Sequence, residues 1–120
     1  MSSARTKQST AREDRLDWVF HALSDRTRRK LIARLARESA MITELAAPFA
    51  MSLPAISRHI KVLERAGLII RTIDGRIHRC TLDAQALQTV EGWLDHYRQF
   101  WAGNLESLAQ YVESDTDDRK

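Results

Sequence analysis

The chain has 120 residues, of which 43% are hydrophobic and 29% are charged, with 19 Lys or Arg against 16 Asp or Glu. This length fits one domain with a modest core, and no apolar run is long enough for a transmembrane helix or a secretory signal. The single cysteine, Cys80, excludes an intramolecular disulfide and a Cys-rich zinc site, so we expect a cytoplasmic protein that does not contact a membrane.

The chain is predicted to begin with a polar arm that precedes two helices. Residues 1–13 predict a disordered arm with three basic side chains, Arg5, Lys7 and Arg12. Apolar residues at helical spacing predict a short first helix over 16–23. A second helix is predicted over 26–38, because Ser24 and Asp25 before it are favourable N-cap residues.

Two further helices are predicted from their capping residues. Thr43 is expected to cap a short helix that Pro48 shortens or distorts. Ser52 is expected to cap a longer helix over 53–66, which Gly67 ends. On a helical wheel the longer helix has one apolar arc, formed by Ile56, Ile60 and Leu63. Its opposite arc is mainly polar and basic and consists of Pro54, Ser57, Arg58, Lys61 and Arg65.

A β-hairpin is predicted after this helix. Two β-rich runs flank Asp74-Gly75, a dipeptide typical of two-residue hairpin turns. Such a turn would place Cys80 opposite Ile69, where a small half-buried cysteine is expected. The alternative is a redox switch, because the adjacent His78 and Arg79 could lower the pKa of the thiol.

A long helix is predicted over 84–112, with Asp83 as its N-cap. Its apolar residues alternate at spacings of three and four, a heptad-like stripe larger than one small domain needs. Gly103-Asn104 is expected to kink or split it. We therefore expect one domain over 14–113 and a frayed acidic tail over 114–120.

This order of elements predicts a winged helix-turn-helix, a mainly α fold with a small β-hairpin wing. The longer helix would enter the major groove of DNA, with Ser57, Arg58 and Lys61 as its main contacts. For His59, a structural role at the edge of the core is the alternative to a phosphate contact. The helix N-caps would present N–H groups to phosphates, and the wing tip would reach the flanking groove. The predicted DNA-binding residues are Thr43, Ser52, Pro54, Ser57, Arg58, His59, Lys61, Arg65, Arg76 and His78.

The distribution of charge and aromatic residues agrees with this prediction. Residues 1–79 contain 16 Lys or Arg and 8 Asp or Glu, whereas residues 80–120 contain 3 and 8. Five of the eight aromatic residues lie in the second range. The pattern favours double-stranded DNA as the partner of the basic part and protein as the partner of the acidic part. No activated nucleophile and no Gly-rich phosphate loop is present, so we expect neither an enzyme nor a cofactor.

Two segments together resemble a known family. They read FHALSDRTRRKLIARLARESAMITELA and MSLPAISRHIKVLERAGLIIRTIDGRIHRCTLD. They resemble the arsenic-repressor (ArsR) family of bacterial winged-helix regulators, and the resemblance extends over about residues 16–113. The segment WLDHYRQFWAGNLESLAQYV is similar to a metal-independent branch of that family. The resemblance implies a homodimeric, DNA-binding repressor that dimerises through its N- and C-terminal helices.

The metal-binding motif of the family is missing from this chain. Metal-sensing members carry a Cys-rich segment on the short helix before the recognition helix. The matching residues 39–46 hold Met41, Thr43 and Ala46 at the three thiol positions, and a soft-metal site needs thiolates. Asp95 and His96 could instead pair with a partner chain's groups, so a repressor that responds to metal through His and carboxylates is one alternative.

The dimer is expected to form through both ends of the domain, and its predicted interface residues are Leu16, Trp18, Trp93, Tyr97, Phe100, Trp101, Leu105 and Leu108. Two-fold symmetry places two recognition helices about 34 Å apart, which predicts an inverted-repeat operator or promoter site. A winged-helix module that binds protein instead of DNA is a further alternative. The sequence does not identify the signal that releases the DNA, which could be an unknown small-molecule effector.

Overall fold

The computed structural model describes the backbone of residues 2–118 and the side chains of residues 10–103 and 108–113. Six helices and three strands are formed there: α1 (Ser2–Leu23), α2 (Arg26–Leu35), β1 (Ala40–Met41), α3 (Ile42–Ala46), α4 (Leu53–Arg65), β2 (Ile69–Asp74), β3 (Ile77–Leu82), α5 (Gln85–Asp95) and α6 (Arg98–Asp118). The chain divides into two compact units, Met1–Val90 and Glu91–Lys120. The mainly helical fold with a small antiparallel sheet confirms the predicted winged helix-turn-helix.

The core of the first unit forms around the apolar arc of α4. Ile56, Ile60 and Leu63 are fully buried there, as the helical wheel predicts. Val19 from α1 and Leu31 from α2 are fully buried in the same cluster. Burying one such side chain contributes about 1.5–3 kcal/mol, so this cluster fixes which side of α4 faces solvent.

Capping side chains define the starts of α2 and α4. Asp25 Oδ2 accepts a hydrogen bond from the backbone N–H of Arg28 at 3.0 Å, and Ser52 Oγ accepts one from that of Ala55 at 3.3 Å. Gly67 follows the C-terminal end of α4 and has a φ of 75°, a left-handed conformation that favours glycine. These three predictions are confirmed.

The wing is an antiparallel sheet with strand order β1-β3-β2. Arg71 lies opposite Cys80, so the predicted pairing of Cys80 with Ile69 is wrong by two residues. The turn residues are Gly75 and Arg76, because Asp74 pairs with Ile77. Positive φ at Gly75 alone is the pattern of a type II′ turn, which does not require Asp74 to adopt a left-handed conformation.

The N-terminal elements differ from the prediction in two places. Helix α1 begins at Ser2, so residues 2–13 are helical here rather than a disordered arm. The first 23 residues contain no Gly or Pro that would stop the helix. Thr43 is not a cap, because α3 begins at Ile42 and Met41 holds the N-cap position. The Glu44 carboxylate accepts a hydrogen bond from the Met41 backbone N–H at 3.3 Å.

In the C-terminal part, the predicted single helix is divided at His96 and Tyr97, not at Gly103-Asn104. The N–H groups of His96 and Tyr97 bond the carbonyls three residues earlier, at 3.3 Å and 2.9 Å. These bonds form a tight turn instead of continuing the α-helix. Helix α6 passes through Gly103 and ends at Asp118, so most of the predicted frayed tail is helical. Among the described helices, none is long and apolar enough to cross a membrane.

Replacing Asp25 tests the cap of α2. We expect Asp25→Ala to lower the free energy of unfolding by about 1 kcal/mol, since the Arg28 N–H loses its acceptor. Asp25→Asn keeps a capping oxygen and should cost clearly less. The hydrogen bond from the Arg28 backbone holds the pKa of Asp25 below its usual value. The stabilisation is therefore present above the unfolded-state pKa and is lost as the pH falls through the lower folded-state pKa.

The measurement is urea unfolding of the three proteins at neutral pH and at pH values that protonate carboxylates. The difference between the wild type and Asp25→Ala should shrink in acid. An Asp25→Ala protein as stable as the wild type at neutral pH would contradict the capping role.

Candidate nucleic-acid interface

Helix α4 presents a polar arc opposite its buried arc. Arg58 and Lys61 are exposed and Ser57 is half-buried, so all three predicted main contacts reach the surface. Pro54 is exposed in the first turn, which Ser52 caps. The exposed arc is therefore polar and basic along the middle of the helix, which suits a helix that inserts into a groove.

Arg65 differs from the other predicted contacts because it is engaged by α1. Its guanidinium carbon lies 5.2 Å from the ring centroid of Trp18, within the range of a cation–π interaction. Arg65 is the last residue of α4, about three helical turns away from Leu53 at its start. We therefore place Arg65 in the contact between α1 and α4 as well as on the charged arc.

His59 is held in a network that joins the end of α1, the start of α2, and α4. Arg28 donates hydrogen bonds to the carbonyls of Ala22 at 2.8 Å and His21 at 3.0 Å. Its Nη1 lies 3.3 Å from His59 Nδ1, and Asp25 Oδ2 lies 3.9 Å from the same nitrogen. Because a guanidinium only donates, the bonded Nδ1 accepts and a neutral His59 carries its proton on Nε2. This geometry favours the structural role over a phosphate contact.

Arg71 connects the recognition helix with both strands of the wing. Its Nη2 donates to Glu64 Oε1 of α4 at 2.5 Å, and its Nη1 lies 3.4 Å from His78 Nδ1 of β3. The Arg71 Nε is buried and has no hydrogen-bond partner. Arg71 lies in the predicted hairpin but is not among the predicted DNA-binding residues. The sequence signal that could have indicated the role of Arg71 is an Arg among apolar neighbours on the inner face of a strand.

A groove of about 530 Å³ lies between α3, the start of α4 and the wing. Half of its ten lining residues are predicted DNA contacts, namely Thr43, Pro54, Ser57, Arg76 and His78. The structure thus brings α3, α4 and the wing together around one surface. Ser52, Arg58, His59, Lys61 and Arg65 do not line this groove.

No metal centre is apparent in the described part of the chain. Among these residues, no three His, Cys, Asp or Glu side chains form a group that could hold a metal ion. Asp95 instead forms an ion pair with Arg98, with Oδ1 and Nε 2.9 Å apart. The residues at the three thiol positions of metal-sensing relatives supply no thiolate.

The second unit carries a row of aromatic side chains. The ring centroids of Trp93 and Tyr97 are 5.1 Å apart, and those of Tyr97 and Phe100 are 6.4 Å apart. Phe100 is 73% exposed and Trp101 is 38% exposed. Leu108 is exposed too, whereas the side chain of Leu105 lies outside the described residues. In the first unit, Leu16 is half-buried and Trp18 is exposed.

The fold, the exposed basic arc of α4 and the adjoining wing define a winged helix-turn-helix protein. A helix-turn-helix domain family matches residues 23–72. The HTH-type transcriptional regulator Rv2034 of Mycobacterium tuberculosis is 36% identical over 102 residues, 85% of this chain and 92% of that protein. The transcriptional repressor SdpR of Bacillus subtilis is 33% identical over 76 residues, 63% of this chain and 84% of that protein.

A solved structure of an ArsR family transcriptional regulator is 38% identical to this chain, with a TM-score of 0.71. The match covers 75% of this chain and 93% of the solved one. This chain belongs to the ArsR family of winged helix-turn-helix transcriptional regulators. It is therefore a DNA-binding regulator and not an enzyme.

The location of Cys80 tests the redox alternative. Cys80 is fully buried, and burial raises the pKa of its thiol because the thiolate loses its hydration. A redox-sensing thiol needs the opposite, an exposed sulfur with a lowered pKa. We expect iodoacetamide to modify Cys80 more than about tenfold more slowly in the native protein than in urea. Equal rates in the two states would restore the redox alternative.

Proposed function

We propose that this chain is a homodimeric repressor that binds an inverted-repeat operator and inserts α4 into the major groove. One observation carries the proposal: α4 buries its apolar arc completely and presents half-buried Ser57 and exposed Arg58 and Lys61 on the other side. Repression would follow when the bound dimer blocks access of RNA polymerase to the promoter.

Base recognition is assigned to the middle of the exposed arc. Arg58 carries a rigid fork of donors that fits the O6 and N7 atoms of guanine, and no acidic partner of its side chain occurs among the described residues. Ser57 and Lys61 lie one residue before and three residues after it, and each can donate to a base edge or a phosphate.

Phosphate contacts are assigned to the edges of the same surface. Ser52 and the first turn of α4 lie at the positive end of the helix dipole, which favours a phosphate there. Thr43 is exposed in the first turn of α3 and offers a hydroxyl group. Arg76 is exposed in the turn of the wing, where it would reach the backbone or minor groove beside the site.

Dimerisation is assigned to the aromatic residues of the second unit together with Leu16 and Trp18 of the first. A specific interface buries about 800 Å² on each partner, and a buried aromatic side chain supplies about 150–250 Å². Trp93, Tyr97 and Trp101, each about 40% exposed, could with Phe100 supply a large share of that area. Exposed aromatic residues in such number are unusual on a monomer surface.

Replacing Arg58 tests the recognition helix. We expect Arg58→Ala to weaken operator binding by about 1–3 kcal/mol while binding to random DNA changes much less, because base contacts carry the specificity. Fluorescence anisotropy with the promoter fragment upstream of the gene measures both affinities. Arg37→Ala is the matched control, since Arg37 is exposed in the turn after α2, outside the proposed interface.

Two outcomes would contradict this assignment. Equal loss of affinity on operator and random DNA would make Arg58 a phosphate contact. A wild-type affinity that does not fall steeply as salt rises would exclude the duplex-binding model, because neutralised phosphates release counterions.

Replacing Trp101 tests the dimer. We expect Trp101→Asp to give monomers in sedimentation velocity, since a buried charge without a partner opposes association. Gln99→Asp adds the same charge on the other side of α6 and should leave the dimer intact. A Trp101→Asp protein that remains dimeric would show that this aromatic row is not the interface.

A further inference from the structure

The groove between α3, the start of α4 and the wing has the size of a small-molecule site. Its volume of about 530 Å³ lies within the range of about 300–1,000 Å³ that ligand pockets occupy. Met41, Ile42, Leu53 and Ile77 supply much of its lining. Leu53 is 50% exposed and Ile77 is 51% exposed, so apolar surface remains in contact with water there.

The remaining lining residues are basic or polar. Arg71, Arg76 and His78 line the groove, and none of its ten lining residues is acidic. Glu64 compensates part of the charge of Arg71, but one guanidinium N–H of Arg71 has no acceptor. Arg76 makes no ion pair among the described residues. The groove therefore combines an apolar surface with an uncompensated positive charge, which favours an amphipathic anion.

We propose that this groove binds a free medium-chain alkyl carboxylate, whose chain packs on Leu53, Ile42 and Ile77 and whose carboxylate faces Arg76 and His78. Thr43, Pro54 and Ser57 line the same groove and belong to the proposed DNA surface. Because the proposed function places operator DNA on this same surface, the carboxylate and operator DNA exclude each other. The ligand would then release the repressor by direct competition.

Both halves of the ligand are needed for affinity. Each buried CH2 group strengthens binding about fourfold, so a chain of several carbons supplies the main part of the affinity. An exposed ion pair strengthens binding by no more than about fivefold, but it selects a carboxylate over a neutral molecule of the same shape. An inorganic anion without the chain should bind weakly.

The first experiment uses the full chain without DNA. Decanoate, 1-decanol and inorganic phosphate are titrated in turn, and binding is followed by calorimetry and by NMR of the isoleucine and leucine methyl groups. We expect saturable binding of decanoate with shifts at Ile42, Leu53 and Ile77, and weaker binding of the other two probes. Decanol binding as tight as decanoate, or decanoate shifts located elsewhere, would overturn the proposal.

A matched pair of variants localises the site. Leu53→Asp places a carboxylate at the groove and should weaken decanoate binding about tenfold or more. Leu53 is the first residue of α4, where a negative charge is favourable for the helix, so the fold should persist. Ile70→Asp introduces the same change at a residue that is 54% exposed and does not line the groove. Equal decanoate affinity of the two variants would overturn the proposal.

The second experiment adds the promoter fragment. We expect decanoate to release the fragment from the wild-type protein, with a half-maximal concentration that rises as more DNA is supplied. A protein that holds decanoate and DNA together would overturn the proposed competition. Failure of the proposed function would be visible separately, as a promoter fragment that does not bind even without decanoate.

Discussion

The burial of one face of α4 determines how the other face is presented. Ile56, Ile60 and Leu63 recur at spacings of four and three, which brings them to one side of a helix with 3.6 residues per turn. All three are fully buried, and each contributes about 1.5–3 kcal/mol. The burial of each of these side chains therefore stabilises the fold more than an N-cap, which contributes roughly 1 kcal/mol. Packing therefore fixes the rotation of α4, and the caps fix where it begins.

Two arginines fix the neighbours of α4 once its rotation is set. Arg28 bonds two carbonyls at the end of α1 and approaches His59 on α4, so it holds three helices together. Arg71 bonds Glu64 on α4 and approaches His78 on β3, so it holds the wing against the helix. Leaving a buried polar atom unpaired costs about 1–3 kcal/mol, and Arg71 Nε is such an atom. The contacts of Arg71 with Glu64 and His78 offset part of that cost.

Local chemistry explains which features could be predicted from the sequence. The caps at Asp25 and Ser52 and the faces of α4 depend on residues within one or two helical turns, and these predictions are confirmed. The hairpin register was wrong because the sequence Asp74-Gly75-Arg76 permits two adjacent two-residue turns. The contacts of Arg71 and His59 join residues 7 and 31 positions apart in the sequence, and local patterns carry no information on such pairings.

The same physical features that suit the groove to DNA suit it to a small anion. A nucleic-acid surface needs positive charge, and the lining of this groove contains two arginines and no acidic residue. Phosphate contacts alone do not require an apolar surface of the size formed by Met41, Ile42, Leu53 and Ile77. A ligand can shift the equilibrium between the free and the DNA-bound regulator only if the ligand binds these two states with different affinities. A site within the proposed DNA surface would provide the largest difference, since a ligand bound there would exclude DNA.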